Sequence, residues 1–186
     1  SVLGQTGLGV KITSLILSAG NNQLWPALLL TAVACLLLGM EVPTTAAYVI
    51  CISVAGPALQ KLGLDLLLAH LFVFWFALLS TITPPVCGAV FIAAGMVGAN
   101  WLRVALSAMA LGIGLYVIPL GMIANPAIIG LETQPAMALV AAMQLFVGLA
   151  ALSYGLIGTR SWLSRMGLIL VGLVCIFVVP IALGLL

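Results

Sequence analysis

Apolar residues fill this chain in long blocks, and the polar positions between them are few and short. The first block, TGLGVKITSLILSAG at 6–20, is two-faced: Leu8, Ile12, Leu15 and Ile16 share one helical side, and Lys11, Ser14 and Ser18 the other. A 3.6-residue split of that kind predicts a helix lying in a membrane interface, with an incomplete span as the plainer alternative. GNNQ at 20–23 marks a turn. Apolar blocks 24–39 and 46–59 follow, parted by a break at Pro43, and QKLGLD at 60–65 is a polar connection. Blocks 66–79 and 86–97 flank a second break, and GANWLR at 98–103 closes the region with Trp101 at interface depth. Residues 104–122, 136–157 and 166–183 read as three plain spans, the first kinked at Pro119, with loops at 125–135 and 158–165.

Composition changes the picture in one respect: it removes the soluble classes. Hydrophobic residues make up 65% of the 186 positions and charged residues 4%, against roughly 25% charged in soluble domains. The chain is an integral membrane protein. A net charge of +2 without a basic cluster excludes nucleic-acid binding. Cys35, Cys51, Cys87 and Cys175 stand singly in apolar blocks, without metal-ligand or redox spacing, and read as buried small hydrophobes. The chain opens at Ser1 inside structured sequence, so we expect a portion of a longer protein. Arg103, Arg160 and Arg165 fall on one side of the three plain spans and Glu132 on the other, which puts the arginines in the cytoplasm.

Two breaks carry the candidate chemistry. LGMEVPTTAAYV (38–49) and LSTITPPVCGAV (79–90) place prolines and hydroxyls in the middle of apolar runs. Unpaired backbone at bilayer depth costs several kcal/mol per group, so irregular backbone persists only inside protein or against water. Thr83 followed by Pro84 predicts an N-cap and a first helical residue, and Pro43, Thr44 and Thr45 open the helix that carries Tyr48. Such starts offer free amides to an anion. The half-helices ending near Gly39 and Thr81 offer carbonyls to a hard cation, and Thr44, Thr45, Ser80, Thr81 and Thr83 add hydroxyl oxygens. Broken helices of this design are the mark of secondary transporters; simple kinks are the bland reading.

GMEVPTTAAYV, PALQKLGLDLLLAHLFVFWFALLSTITPPV and AAGMVGAN resemble the large membrane subunit of the tripartite ATP-independent periplasmic (TRAP) transporters, most nearly the TAXI-type branch with fused membrane subunits. The likeness runs from residue 6 to residue 129 and is looser in the last two spans. It implies an all-α integral membrane fold, one half of an elevator-type transporter. Residues 1–22 would be an interfacial arm helix and 23–98 the transport elements. The latter comprise a re-entrant hairpin at 24–59, its tip at 40–45, and a broken transmembrane helix at 66–97. Residues 99–186 would supply about three further spans. Sequence physics alone leaves open which segment re-enters and which crosses.

The resemblance also implies a multi-pass permease in the bacterial or archaeal cytoplasmic (inner) membrane, importing small carboxylates with Na+ as coupling ion. Its partners would be a periplasmic substrate-binding protein, a small membrane subunit or fused small-subunit region, the first inverted repeat of the large subunit, and the lipid bilayer. Carried over residue by residue, sodium falls on Gly39, Thr44, Thr45, Thr81 and Thr83. The organic anion falls on Pro43, Thr44, Ser80, Pro84 and Pro85, with no transition metal. Glu41, at the tip, is solvated in the substrate cavity or protonated, and is a lesser candidate ligand.

His70, the sole histidine, is expected in a first helical turn bonded to backbone rather than in a proton relay, and Phe72, Phe74, Trp75 and Phe76 in scaffold or lipid packing. Asn125 and Pro126 read as a helix end and turn. A membrane enzyme would need paired carboxylates or a nucleophile and base at depth, and the three acids are dispersed. The competing readings are an ion channel, or a sodium/anion symporter that works without a binding protein.

Overall fold

The computed structural model describes residues 8–40, 42–85, 87–158 and 161–178, with backbone alone for Leu8, Gly9, Val10 and Ile12. The expectations that rest on Glu41, Arg160, the side chains of Leu8 and Ile12, and residues 179–183 lie outside the described residues. Every regular element among the described residues is helical. The chain divides into two compact units, Ser1–Ala105 and Leu106–Leu186.

In the first unit, α1 (Leu8–Ala19) packs on α2 (Leu24–Gly39) and α3 (Thr44–Lys61), and both of these pack on α4 (Leu66–Leu79). α1 buries Thr13 and Ile16, and the Thr13 hydroxyl donates to the Val54 carbonyl at 3.0 Å. Leu15, on the apolar side read from the sequence, is exposed, and Ile16 beside it is buried.

α2 is apolar all round, as a helix with protein on one side and lipid on the other should be. Its buried face holds Ala27, Leu28, Ala32 and Cys35; α3 buries Ala47, Cys51, Ala55 and Ala58, α4 buries Ala69, Phe72, Val73, Phe76 and Ala77, and the three helices pack on one another. Small residues let the helices approach closely where no water-driven force holds them together.

Two short connections set the directions. Residues 40–43 return the chain from α2 into α3, and 62–65 return it from α3 into α4, where the Asp65 side chain caps the new helix by accepting from the Leu67 amide at 2.8 Å. α2 and α4 therefore run the same way and α3 runs against them. The C-termini of α2 and α4 and the N-terminus of α3 share one end of this three-helix bundle. α5 (Gly88–Val97) follows and buries only Val90 and Ala94.

α6 (Trp101–Leu111) passes the boundary into the second unit, which holds α7 (Ile113–Ala124), a 3-10 turn (Pro126–Ile129), α8 (Pro135–Ser153) and α9 (Trp162–Leu173). The single plain span expected over 104–122 is instead divided at Gly112, where the backbone takes φ −89° and ψ 12°. Pro119, the expected kink, lies buried inside α7. Glycine gives up the most backbone freedom in a helix, and the interruption falls at Gly112 rather than at Pro119.

α8 continues as a π-helical turn to give Pro135–Gly158, a largely apolar helix of 24 residues whose 18-residue apolar window is 22% buried. At 1.5 Å per residue that is about 36 Å, enough to cross a hydrocarbon core. α9 likewise runs on as a π turn over Val174–Val178.

Candidate functional site

The end of the first unit where α2, α3 and α4 meet contains both interruptions. Gly39 closes α2 and Ser80 closes α4, and the two touch: a Cβ built on Gly39 would overlap the Ser80 hydroxyl and stand 2.7 Å from Ser80 Cβ. Only glycine permits this approach. Ser80 is wholly buried there and leaves no surface for a substrate in this structure.

A common spacing links the two residues. Pro43 lies four positions after Gly39, and Pro84 four after Ser80. Proline has no N–H, so neither carbonyl has the donor that a continuing helix would bring. The Ser80 carbonyl accepts a long bond, 3.4 Å, from the Thr83 amide. The repeated four-residue step is present in the sequence and was the available sign that these positions correspond.

Around this contact the hydroxyls are oriented by the backbone. Ser80 Oγ donates to the Ala77 carbonyl at 2.7 Å, Thr81 Oγ1 to Leu78 at 2.9 Å, and Thr83 Oγ1 to Leu79 at 2.7 Å. These bonds engage the carbonyls at the end of α4 and use the proton of each hydroxyl, which leaves its oxygen an acceptor. Thr83 is buried, Thr81 and Pro85 exposed, and Pro84 half-buried, with a cis bond between the two prolines.

Thr83 is not an N-cap, as its sequence position suggested. α5 begins at Gly88, with Cys87 in the cap position, and 83–85 form bends. Two consecutive prolines explain the delay, since Pro85 disfavours helical backbone at Pro84.

On the facing element, Pro43 occupies the N-cap of α3 and the Ala47 amide bonds its carbonyl at 3.0 Å. Among the described residues the amides of Thr44, Thr45 and Ala46 thus precede the first helical bond, the position at which a helix N-terminus can meet an anion. Pro43 and Thr45 are exposed, Thr44 half-buried, and among the described residues no side-chain hydrogen bond holds either threonine hydroxyl.

His70 departs from expectation. It lies in the second turn of α4, and its Nδ1 is 2.6 Å from the Tyr48 hydroxyl of α3 rather than bonded to backbone. Phe72 and Phe76 are core residues in ring contact at 4.8 Å, and Phe74 meets Tyr48 edge-on at 5.7 Å. Cys35, Cys51 and Cys87 are buried and Cys175 half-buried.

With this geometry in view, residues 1–137 match the family model described as Tripartite ATP-independent periplasmic transporter, DctM component. The chain belongs to the DctM family. A DctM chain is the inner-membrane permease component of a TRAP secondary transporter, a class that works with a periplasmic binding protein and a small membrane subunit. DctM is a transporter family and not an enzyme class. No curated protein and no solved structure matches this chain.

One polar pair of this DctM chain was missed. In the second unit, Asn125 is buried at the end of α7, and its Nδ2 donates to Gln144 Oε1 on α8 at 3.2 Å. Gln144 stands alone within an apolar helix, and that isolation was the readable signal.

Proposed function

We propose that the end where α2, α3 and α4 converge is a binding site for Na+ and a small carboxylate, in a sodium-coupled importer of the elevator type. Residues 24–59 act as the re-entrant hairpin and 66–97 as the broken helix, with 1–22 as an interfacial arm and 99–186 supplying further spans. The contact of Gly39 with Ser80 carries this reading, because it brings two proline-marked interruptions 41 positions apart into one place.

The donor set fits a hard cation. The hydroxyls of Thr81 and Thr83 donate to backbone carbonyls and carry acceptor oxygens, among the described residues no side-chain hydrogen bond holds those of Thr44 and Thr45, and the Gly39 carbonyl has no N–H at Pro43 to meet it. Oxygen ligands without a thiol or imidazole suit Na+. The free amides of Thr44 and Thr45, beside Pro43, Pro84 and Pro85, suit a carboxylate, to which a helix N-terminus offers about half a unit of positive charge. The TAXI-type likeness is consistent with this assignment.

Uptake of a radiolabelled carboxylate into proteoliposomes tests it, using the complete transporter and its binding protein under an imposed sodium gradient. Saturable uptake that requires both sodium and the binding protein is expected. Flux that is ohmic and indifferent to sodium would establish a channel instead. Replacing Thr44 or Thr83 with alanine removes one oxygen ligand and should raise the sodium half-saturation by about tenfold, equivalent to ~1.4 kcal/mol. Unchanged sodium activation in both variants sinks the site.

A further inference from the structure

Outside the proposed ligand set, a directional contact ties α3 to α4, two of the elements that build it. The Tyr48 hydroxyl lies 2.6 Å from His70 Nδ1, the rings 6.0 Å apart, and the Tyr48 ring meets Phe74 at 89° with centroids 5.7 Å apart. Tyr48 stands one turn below Thr44 on the same face of α3, and His70 and Phe74 are one turn apart on α4. Many of the other buried residues of α3 and α4 are small, Ala47, Ala55 and Ala58 and Ala69, Val73 and Ala77 among them, beside the larger Leu59, Leu68, Phe72 and Phe76. Apolar packing of this kind is attractive but weakly directional. It resists separation far more than rotation or sliding, because dispersion has little directional preference.

We propose that Tyr48 and His70 are positioning residues: their bond fixes the rotation and height of α3 against α4, and so the angle at which the Thr44 and Thr45 end is presented to Ser80–Thr83. With the ring proton on Nε2, the hydroxyl donates to Nδ1 and the bond locks one geometry. Neither side chain belongs to the ligand set proposed above. The proposal rests on the sodium-site reading above and assigns two residues that the reading itself does not use.

The test measures sodium half-saturation and maximal rate of uptake, with sodium-induced thermal shift of the purified transporter as a binding readout. Tyr48→Phe keeps the ring and its contact with Phe74 and removes only the hydroxyl. It should raise the sodium half-saturation three- to tenfold, leave the maximal rate at saturating sodium within twofold, and leave the sodium-free thermal midpoint in place. His70→Leu should do the same. His70→Asn, which keeps an acceptor near the Nδ1 position, should restore the half-saturation to within twofold. The double variant Tyr48→Phe/His70→Leu should be no worse than the worse single one.

A half-saturation unmoved by Tyr48→Phe, single effects that add in the double variant, or failure of His70→Asn to rescue overturns the proposal while leaving the sodium site standing. A wild-type transporter indifferent to sodium in both readouts overturns the functional reading, and the proposal with it.

Discussion

Gly39 has no side chain, and the space its Cβ would take holds the Ser80 hydroxyl. The neighbour is short, fully buried and bonded to the Ala77 carbonyl, so it cannot swing aside. Gly39→Ala must therefore part the ends of α2 and α4, an overpacking penalty of about 1–3 kcal/mol. The thermal midpoint in detergent should fall, and sodium dependence should weaken because the two interruptions separate. Gly39→Ala/Ser80→Gly makes room for the new methyl and should recover part of the loss, a non-additive outcome that adjoining residues produce. An unchanged midpoint in Gly39→Ala would show that the two helix ends leave room for a methyl group after all. At this scale the sequence was legible in kind and not in pairing. Prolines and threonines in apolar runs announced irregular backbone, but no local rule connects Gly39 with Ser80 across 41 positions.

Elements were legible where hydrophobic blocks ended in polar residues. α2 and α4 begin and end where the apolar pattern does, since GNNQ, Pro43 and QKLGLD are unambiguous punctuation. Breaks inside apolar runs were not legible. Gly112 divides α6 from α7 with no polar flag, and the start of α5 moved from Pro84 to Gly88 because two prolines delay a helix more than one threonine can cap it. The same limit applies to helix crossings. α8 and α9 meet through Gly148 and Gly172: a Cβ on Gly172 would stand 2.8 Å from the Gly148 carbonyl oxygen and 2.7 Å from Leu152 Cγ, whereas one on Gly167 meets nothing within 4 Å. Both are helical glycines in apolar sequence, and only their neighbours tell them apart. Gly172→Ala should cost about 1–3 kcal/mol through forced separation of the helices. Gly167→Ala should be neutral or stabilise by up to ~1 kcal/mol, from helix propensity. Thermal denaturation of the two variants side by side decides it, and equal midpoints would remove the close crossing as a source of stability.

For the molecule as a whole, the membrane sets the orientation, and one helix reports on it with the least ambiguity. Pro135–Gly158 is long and apolar enough to cross, and Glu132 precedes it while Arg165 follows. The segment before it, 130–134, carries no lysine or arginine, whereas 159–165 carries Arg160 and Arg165. Cationic side chains close to a span's end are held on the cytoplasmic side, and acidic ones contribute little, so we expect the Arg165 end to face the cytoplasm and the Glu132 end the periplasm. A count from Arg103 through three plain spans does not enter here, because the first of those spans is divided at Gly112. Single cysteines in a cysteine-free background test the assignment. Glu132→Cys should react with a membrane-impermeant maleimide in intact cells, and Ser161→Cys, exposed at the start of α9, only after the inner membrane is opened. The reverse pattern would invert the second unit. Labelling of both sites from outside would mean that Pro135–Gly158 does not cross, despite an apolar surface that water would not tolerate over so great a length.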